Sequence, residues 1–268
     1  MAAAYQNYVR DRLGKLGFLV IIALVVHTFF TFVVRPTAES WLVQQREITQ
    51  AHPEHKPERI LYVIIKDPEQ EVTIILAFWG LLLAGLRAWD LQKQRKLLGA
   101  DLVKLPAGFV ILPDDAREHL RRLDSLPAEQ RDAVPSRILR NALKRFGTTG
   151  NVQDASTTVH NVAESEAARL DAELAILRFS VWAIPAIGFV GTVRGIGIAL
   201  QGAQLAFQGD TTAVTGGLGV SFNSTLVALT LSIFMMYTLH EVTLAQERLV
   251  LDAEHYADEQ LISRMHGK

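Results

Sequence analysis

The sequence predicts an all-α integral membrane protein with four transmembrane helices, a helical cytoplasmic segment and long helices that extend into the cytoplasm. Three observations carry that reading. Composition is ordinary on average, 49% hydrophobic and 21% charged, yet the charges are excluded from four long apolar stretches. Basic residues crowd alternate ends of those stretches. Between them, apolar residues recur at helical spacing.

The apolar stretches run from Gly17 to Val34, from Val72 to Trp89, from near Phe179 to about Phe207, and from about Thr215 to Leu239. Each is close to or above the roughly 20 residues that a helix needs to cross a bilayer core. In lipid a backbone must satisfy its own hydrogen bonds, so these stretches are read as helices. The competing reading of the first stretch is a cleaved signal peptide. Against it, the apolar run is long for a signal core and Arg35-Pro36 follows where small residues are wanted.

Charge fixes the expected orientation. Arg10, Arg12 and Lys15 precede the first span, and Arg87, Lys93, Arg95 and Lys96 crowd the end of the second. The segment between them is acidic, with Glu39, Glu47, Glu54, Glu58, Asp67, Glu69 and Glu71. The positive-inside rule then places both termini in the cytoplasm and residues 35–71 outside. The expected organisation is a two-span hairpin over 1–89, a cytoplasmic helical segment over 90–173, a second two-span region over 174–240 and a helical cytoplasmic tail over 241–268.

Within 90–173, Leu112-Pro113-Asp114-Asp115 reads as a helix start, followed by Leu120, Leu123 and Leu126 at helical spacing. Pro135-Ser136 opens a second helix with Ile138, Leu139, Ala142, Leu143 and Phe146 on one side. Gly147-Thr148-Thr149-Gly150 breaks it. From Val152 the helical pattern resumes with nothing to stop it, so one long helix is expected to run into the third span. The basic residues here (Arg117, Arg121, Arg122, Arg131, Arg137, Arg140, Lys144, Arg145) fit a solvated face near anionic lipid. Net charge is −1, which gives no global basic field for nucleic acid. The absence of cysteine excludes disulfides, thiolate metal sites and cysteine nucleophiles.

The third and fourth spans carry the candidate functional residues. Pro185, inside the third span, is expected to kink it. Pro185, Gly188, Thr192, Gly195 and Ala199 form a stripe of small residues with one hydroxyl, and Gly191 and Gly195 make a GxxxG pair. Ser221, Thr225, Ala228 and Ser232 form a similar stripe in the fourth span. Such stripes serve close helix packing; two of them, each with a threonine, also suit the lining of a narrow polar path. Neither span has an interior Asp or Glu, so an ion path here needs a carboxylate from another chain. Arg194 reads either as a gate or as an anchor that snorkels outward or pairs with Asp210. His27 reads as a helix–helix hydrogen-bonder, and Asn223 as the donor or acceptor of an inter-subunit hydrogen bond. The glycine string from Gly188 to Gly197 lacks the Gly-Lys-Ser/Thr ending and the preceding strand of a nucleotide loop. No catalytic residue and no metal site are read, so the chain is not expected to be an enzyme. A self-contained transporter would need internal repeats, and none is evident.

Two blocks resemble a known family. Ile184-Pro185-Ala186-Ile187-Gly188-Phe189-Val190-Gly191-Thr192-Val193-Arg194-Gly195-Ile196 is similar to the P-x-I-G-L-x-G-T-V-x-G-I signature of the MotA/TolQ/ExbB proton-channel proteins. Ser221-Phe222-Asn223-Ser224-Thr225-Leu226-Val227-Ala228-Leu229 resembles the block of the next helix. In wording the motifs are closer to TolQ and ExbB, and in topology the chain is closer to flagellar stator A subunits. Val220 stands where TolQ- and ExbB-like members often have glutamate, Arg194 replaces an aromatic, and the fourth span lacks the stator proline. The resemblance implies a homo-pentamer in a bacterial inner membrane that surrounds a dimeric single-span partner with an intramembrane aspartate and a periplasmic domain. It also implies that Thr192 and Thr225 line the ion path; Ser221, on the same stripe as Thr225, is read with them. No cofactor is expected, and protons, with sodium ions as the second candidate, are the expected transported species. Without that partner, the same stripes describe a non-conducting oligomeric scaffold.

Overall fold

The computed structural model describes residues 2–52, 54, 60–100, 102–103 and 109–267, with side chains described from Leu13 onward except at Gln50. Glu58 and the side chains of Arg10 and Arg12, used above to orient the chain, lie outside the described residues. The all-α expectation is borne out. The four apolar stretches fall in helices long and apolar enough to cross a membrane, Leu13–Thr49, Pro68–Gly99, Val152–Gln201 and Thr212–Arg264, except that the third helix ends at Gln201, short of the expected Phe207. Among the described residues there is no β-strand, only an isolated bridge between Ile111 and Met265.

The chain divides into two compact units. The first holds residues 1–83 and 176–238, and the second 84–175 and 239–268.

In the first unit, α1 (Ala2–Phe29) does not end at Arg35-Pro36. It passes through a π-helical turn, Phe30–Val34, into α2 (Arg35–Ala51). Proline has no N–H to give to the turn before it, so a regular helix loses a bond there. The wider π turn absorbs the misfit, with the Arg35 N–H bonding to the Phe30 carbonyl, five residues back. Phe30 and Val34 are buried with Val26, against Ile22, Tyr62, Ile65, Ile74 and Ile75. A short helix α3 (Leu61–Ile65) leads to α4 (Pro68–Gly99). Pro68 opens α4, and Glu69 and Glu71 sit in its first turn, where the helix dipole favours acids. Farther along, the Trp79 indole N–H donates to the Lys15 carbonyl at 2.9 Å.

The second unit carries α5 (Ala116–Asp124), α6 (Ala128–Arg131), α7 (Val134–Thr149) and α8 (Val152–Glu173). The apolar side predicted for α7 is its buried side: Ile138, Leu139, Ala142, Leu143 and Phe146 are all at or below 1% exposure. The helix runs on through Gly147 and stops at Gly150, whose φ of 64° is left-handed and costs glycine nothing. Asn151 caps α8 through its side-chain oxygen, which accepts the Gln153 N–H at 2.9 Å. The Ile111 N–H donates to the Arg264 carbonyl at 2.8 Å and the His266 N–H to the Ile111 carbonyl at 3.0 Å, which ties the C-terminal residues to this unit.

Several basic residues read as a solvated face are paired instead. Arg137 meets Glu166 at 2.5 Å, Arg140 meets Asp124 at 2.7 Å and Arg145 meets Asp154 at 3.1 Å. Burial pulls the Arg137 guanidinium below its usual value, and Glu166 opposes the shift. Arg117, Arg121 and Arg122 stay exposed.

The long helix expected to enter the third span has one interruption. α8 and α9 (Ala175–Gln201) are joined by buried Leu174, whose N–H bonds to Asp171 at 3.1 Å, a tightened turn of 3₁₀ type. Pro185 lies inside α9, which continues through it. A short helix α10 (Ala203–Phe207) and a loop lead to α11 (Thr212–Gln260). At 49 residues α11 is roughly 74 Å long, more than twice the bilayer core.

Candidate functional site

The site is built in the first unit from α9, α11 and the first turn of α4. In α9, Gly188, Gly191, Gly195 and Ala199 are buried; in α11, Gly217, Ser221, Ser224 and Ala228 are buried. Both series step by three or four residues, so each forms a single stripe along its helix. The stripes meet with almost no side chain between them. A Cβ on Gly195 would lie 2.6 Å from the Gly217 carbonyl oxygen and 2.8 Å from the Ser221 Cα. One on Gly217 would lie 2.5 Å from the Ala199 nitrogen. One on Gly188 would run into the Ala228 Cβ. Main chain therefore packs directly on main chain at Gly195 and Gly217, which only glycine allows. Gly217 was not singled out from the sequence, although the Gly216-Gly217-Leu218-Gly219 run was its signal.

At one edge of this seam the Thr192 and Thr225 hydroxyls are in hydrogen-bond contact. Thr192 Oγ1 is also 3.2 Å from the Gly188 carbonyl and 3.4 Å from that of Ser221, and Thr225 Oγ1 is 3.3 Å from the same Ser221 carbonyl. Each hydroxyl has one proton to give and lone pairs to receive, so the pair can switch which member donates. Both threonines are half-buried, whereas Ser221 is 4% exposed. Asn223 is buried as well, one residue before Ser224.

At the other edge the first turn of α4 is docked. Gly191 makes room for it: a Cβ there would lie 2.5 Å from Ser224 Cβ and 3.1 Å from Glu69 Cγ. Glu69 receives a two-pronged hydrogen bond from Arg194, Nε to Oε1 at 2.6 Å and Nη2 to Oε2 at 2.8 Å. Arg194 Nη2 also lies 3.6 Å from Asp67 Oδ1. The Gln70 amide donates to Ser224 Oγ at 3.3 Å and to the Ile64 carbonyl at 3.2 Å. Glu71 is shared by Arg35 at 2.5 Å and His27 Nδ1 at 2.7 Å, and Lys66 meets Asp67 at 3.0 Å. The carboxylates of Asp67, Glu69 and Glu71 are thus each matched by a base, and their side chains are only 9–10% exposed.

This corrects one reading of the sequence and adds to another. Arg194 is paired with Glu69 rather than with Asp210. Asp210 instead caps α11, with Oδ1 accepting the Thr212 N–H at 2.9 Å; hydrogen bonds from the Thr212 side chain and backbone hold its carboxyl below the usual aspartate range. And carboxylates do lie against the third span, supplied by the turn that opens the second. His27 makes the helix–helix hydrogen bond expected of it, to Glu71. Among the described residues no three His, Asp or Glu side chains converge as ligands for a metal ion.

Helices of spanning length joined by a main-chain seam define a multi-pass membrane protein. Residues 130–255 match the model of the MotA/TolQ/ExbB proton channel family, the family that the two motif blocks resemble. The match takes in α7, α8, α9 and most of α11, and it leaves the first two spans outside. The family is one of proton channels in energy-transducing, motor-like membrane complexes made with partner proteins, not one of enzymes. No curated protein and no solved structure matches the chain.

Proposed function

We propose that this chain is the channel-forming subunit of an ion-driven motor in a bacterial inner membrane, with both termini cytoplasmic. Five copies form a ring around the transmembrane helices of a dimeric single-span partner, and protons are the driving ion in preference to sodium. The observation that carries the reading is the Thr192–Thr225 hydroxyl contact on the glycine seam, in a region that matches a proton channel family.

The same geometry supports the need for a partner. Two hydroxyls can pass or solvate a proton, but neither titrates near neutral pH, so they cannot hold one. The chain's own nearby carboxylates are occupied by Arg194, Arg35, His27 and Lys66. An aspartate carried by the partner supplies the titrating group. While ionised it accepts hydrogen bonds from the threonine hydroxyls of one subunit. Protonation cancels its charge and weakens that hold, so the next subunit can engage it.

The test is proton flux into proteoliposomes that contain the chain co-purified with its partner. Thr225→Val keeps shape and removes the hydroxyl; the expected loss is at least about tenfold, equivalent to ~1.4 kcal/mol on the barrier. Undiminished flux with Thr225→Val refutes the threonine path. An assembled complex that carries no flux at all leaves the non-conducting scaffold as the function.

A further inference from the structure

The turn that opens α4 lies outside the residues matched to the family, yet it touches both helices of the matched seam. We propose that this turn is a positioning brace: Glu69 acting through Arg194, and Gln70 acting through Ser224, fix the register of α9 on α11 at which the Thr192 and Thr225 hydroxyls meet. The inference rests on the channel reading for its functional meaning and on geometry for its substance.

The geometry is one of adjacent residues facing opposite edges of one seam. Gly191 and Thr192 are neighbours in α9; Ser224 and Thr225 are neighbours in α11. Successive residues point about 100° apart around a helix, so in each pair one member faces the brace while the other faces the hydroxyl contact. Whatever fixes Gly191 against Ser224 therefore fixes Thr192 against Thr225. A slip of one residue along either helix is a movement of about 1.5 Å, enough to break both contacts.

The seam sets how closely the two helices approach. Its residues are small, so few long side chains interlock to set where one helix sits lengthwise on the other. The brace supplies the directional part. A guanidinium that donates two parallel hydrogen bonds to one carboxylate fixes position and rotation together, which a single ion pair does not. Arg194 does this from α9, 125 residues away from Glu69 in sequence. Gln70, 1% exposed, reaches α11 from the next position, and its main-chain carbonyl accepts the Thr73 hydroxyl at 2.9 Å. The brace is charge-balanced by groups of this chain, so it is set before any partner binds.

The chain has no cysteine, so a reporter pair can be placed cleanly. In Thr192→Cys/Thr225→Cys, copper-phenanthroline oxidation in native membranes is followed by loss of maleimide-reactive thiols. Disulfide formation demands specific geometry, so adding Glu69→Gln is expected to slow it about tenfold. The charge swap Glu69→Arg with Arg194→Glu is expected to restore it to within about threefold, since the pair is re-formed in reverse. Gln70→Leu leaves every ion pair intact and is expected to slow oxidation as well; it carries the test if Glu69→Gln fails to accumulate. Oxidation rates unchanged by both Glu69→Gln and Gln70→Leu overturn the brace. This readout is independent of flux: a silent wild-type complex counts against the channel reading alone, while slowed oxidation in the variants still supports the brace.

Discussion

Gly195 and Gly197 lie two residues apart in α9 and have opposite surroundings. Alanine at Gly195 places a Cβ 2.6 Å from the Gly217 carbonyl oxygen and 2.8 Å from the Ser221 Cα. The Ser221 nitrogen is nearer still, and comfortable contact begins near 3.4 Å, so the two backbones must part by about 1 Å. Neither obstacle is a side chain that can turn aside. At Gly197 nothing lies within 4 Å. Both substitutions gain the same helix propensity, up to about 1 kcal/mol relative to glycine. That gain cancels when the two variants are compared, and the difference left is the cost of forcing the seam apart. Overpacking of this kind costs about 1–3 kcal/mol, and a contact that is main chain on both sides belongs at the upper end. Gly197→Ala is therefore expected to be more stable than Gly195→Ala by about 2–3 kcal/mol. The assay is reversible unfolding in mixed micelles with rising dodecyl sulfate, followed by far-ultraviolet circular dichroism on the purified chain. Stabilities that agree within about 0.5 kcal/mol would refute the main-chain seam.

Two other outcomes follow from the same unit. Arg194→Leu strands the Glu69 carboxylate and is expected to cost about 3 kcal/mol, the low end for a broken buried pair because Arg194 keeps 37% exposure; Arg194→Lys keeps the charge, loses the two-pronged geometry and costs less. Equal thermal unfolding midpoints for the two variants would count against a charge role. The Asp210 carboxyl, followed by carbon-13 NMR, is expected to titrate below the usual aspartate value, first because of the Thr212 side chain and then its amide. Its folded-state value is depressed, so the cap is complete above the unfolded value and is lost as pH falls through the lowered one. Thr212→Val removes the hydroxyl and should move the midpoint back towards the ordinary value; an unmoved midpoint would rule the hydroxyl out as the cause.

The four spans were legible in the sequence because bilayer thickness imposes a length and an apolarity that local composition reports directly. The glycine stripe of α9 was legible for a related reason: a repeat every three or four residues within one helix is a local pattern. What escaped was set by partners distant in the chain. Nothing near Arg194 points to Glu69, and the nearest downstream acid, Asp210, is engaged in capping α11. Glu69 and Glu71 read as part of a solvated acidic segment because such residues usually are solvated; their burial comes from the way α3 and the π turn bring the start of α4 against the first and third spans. The π turn was equally hidden. Arg35-Pro36 signals a helix end, and only the burial of Phe30 and Val34 shows why the helix continues past it.

A seam of main chain on main chain has no rotamers. Conventional helix contacts yield by side chains hopping between wells, and each hop lets one helix ride over the next. At Gly195 and Gly217 there is nothing to hop, so the contact cannot yield by that route. The two helices can come no closer at that level. The Thr192 and Thr225 hydroxyls beside it can swing without changing the spacing of the helices. With the lengthwise position held by Glu69 and Gln70 as proposed above, a mechanical stroke driven through this seam appears as motion of the whole pair against whatever it touches, as a tooth of a gear transmits torque without bending.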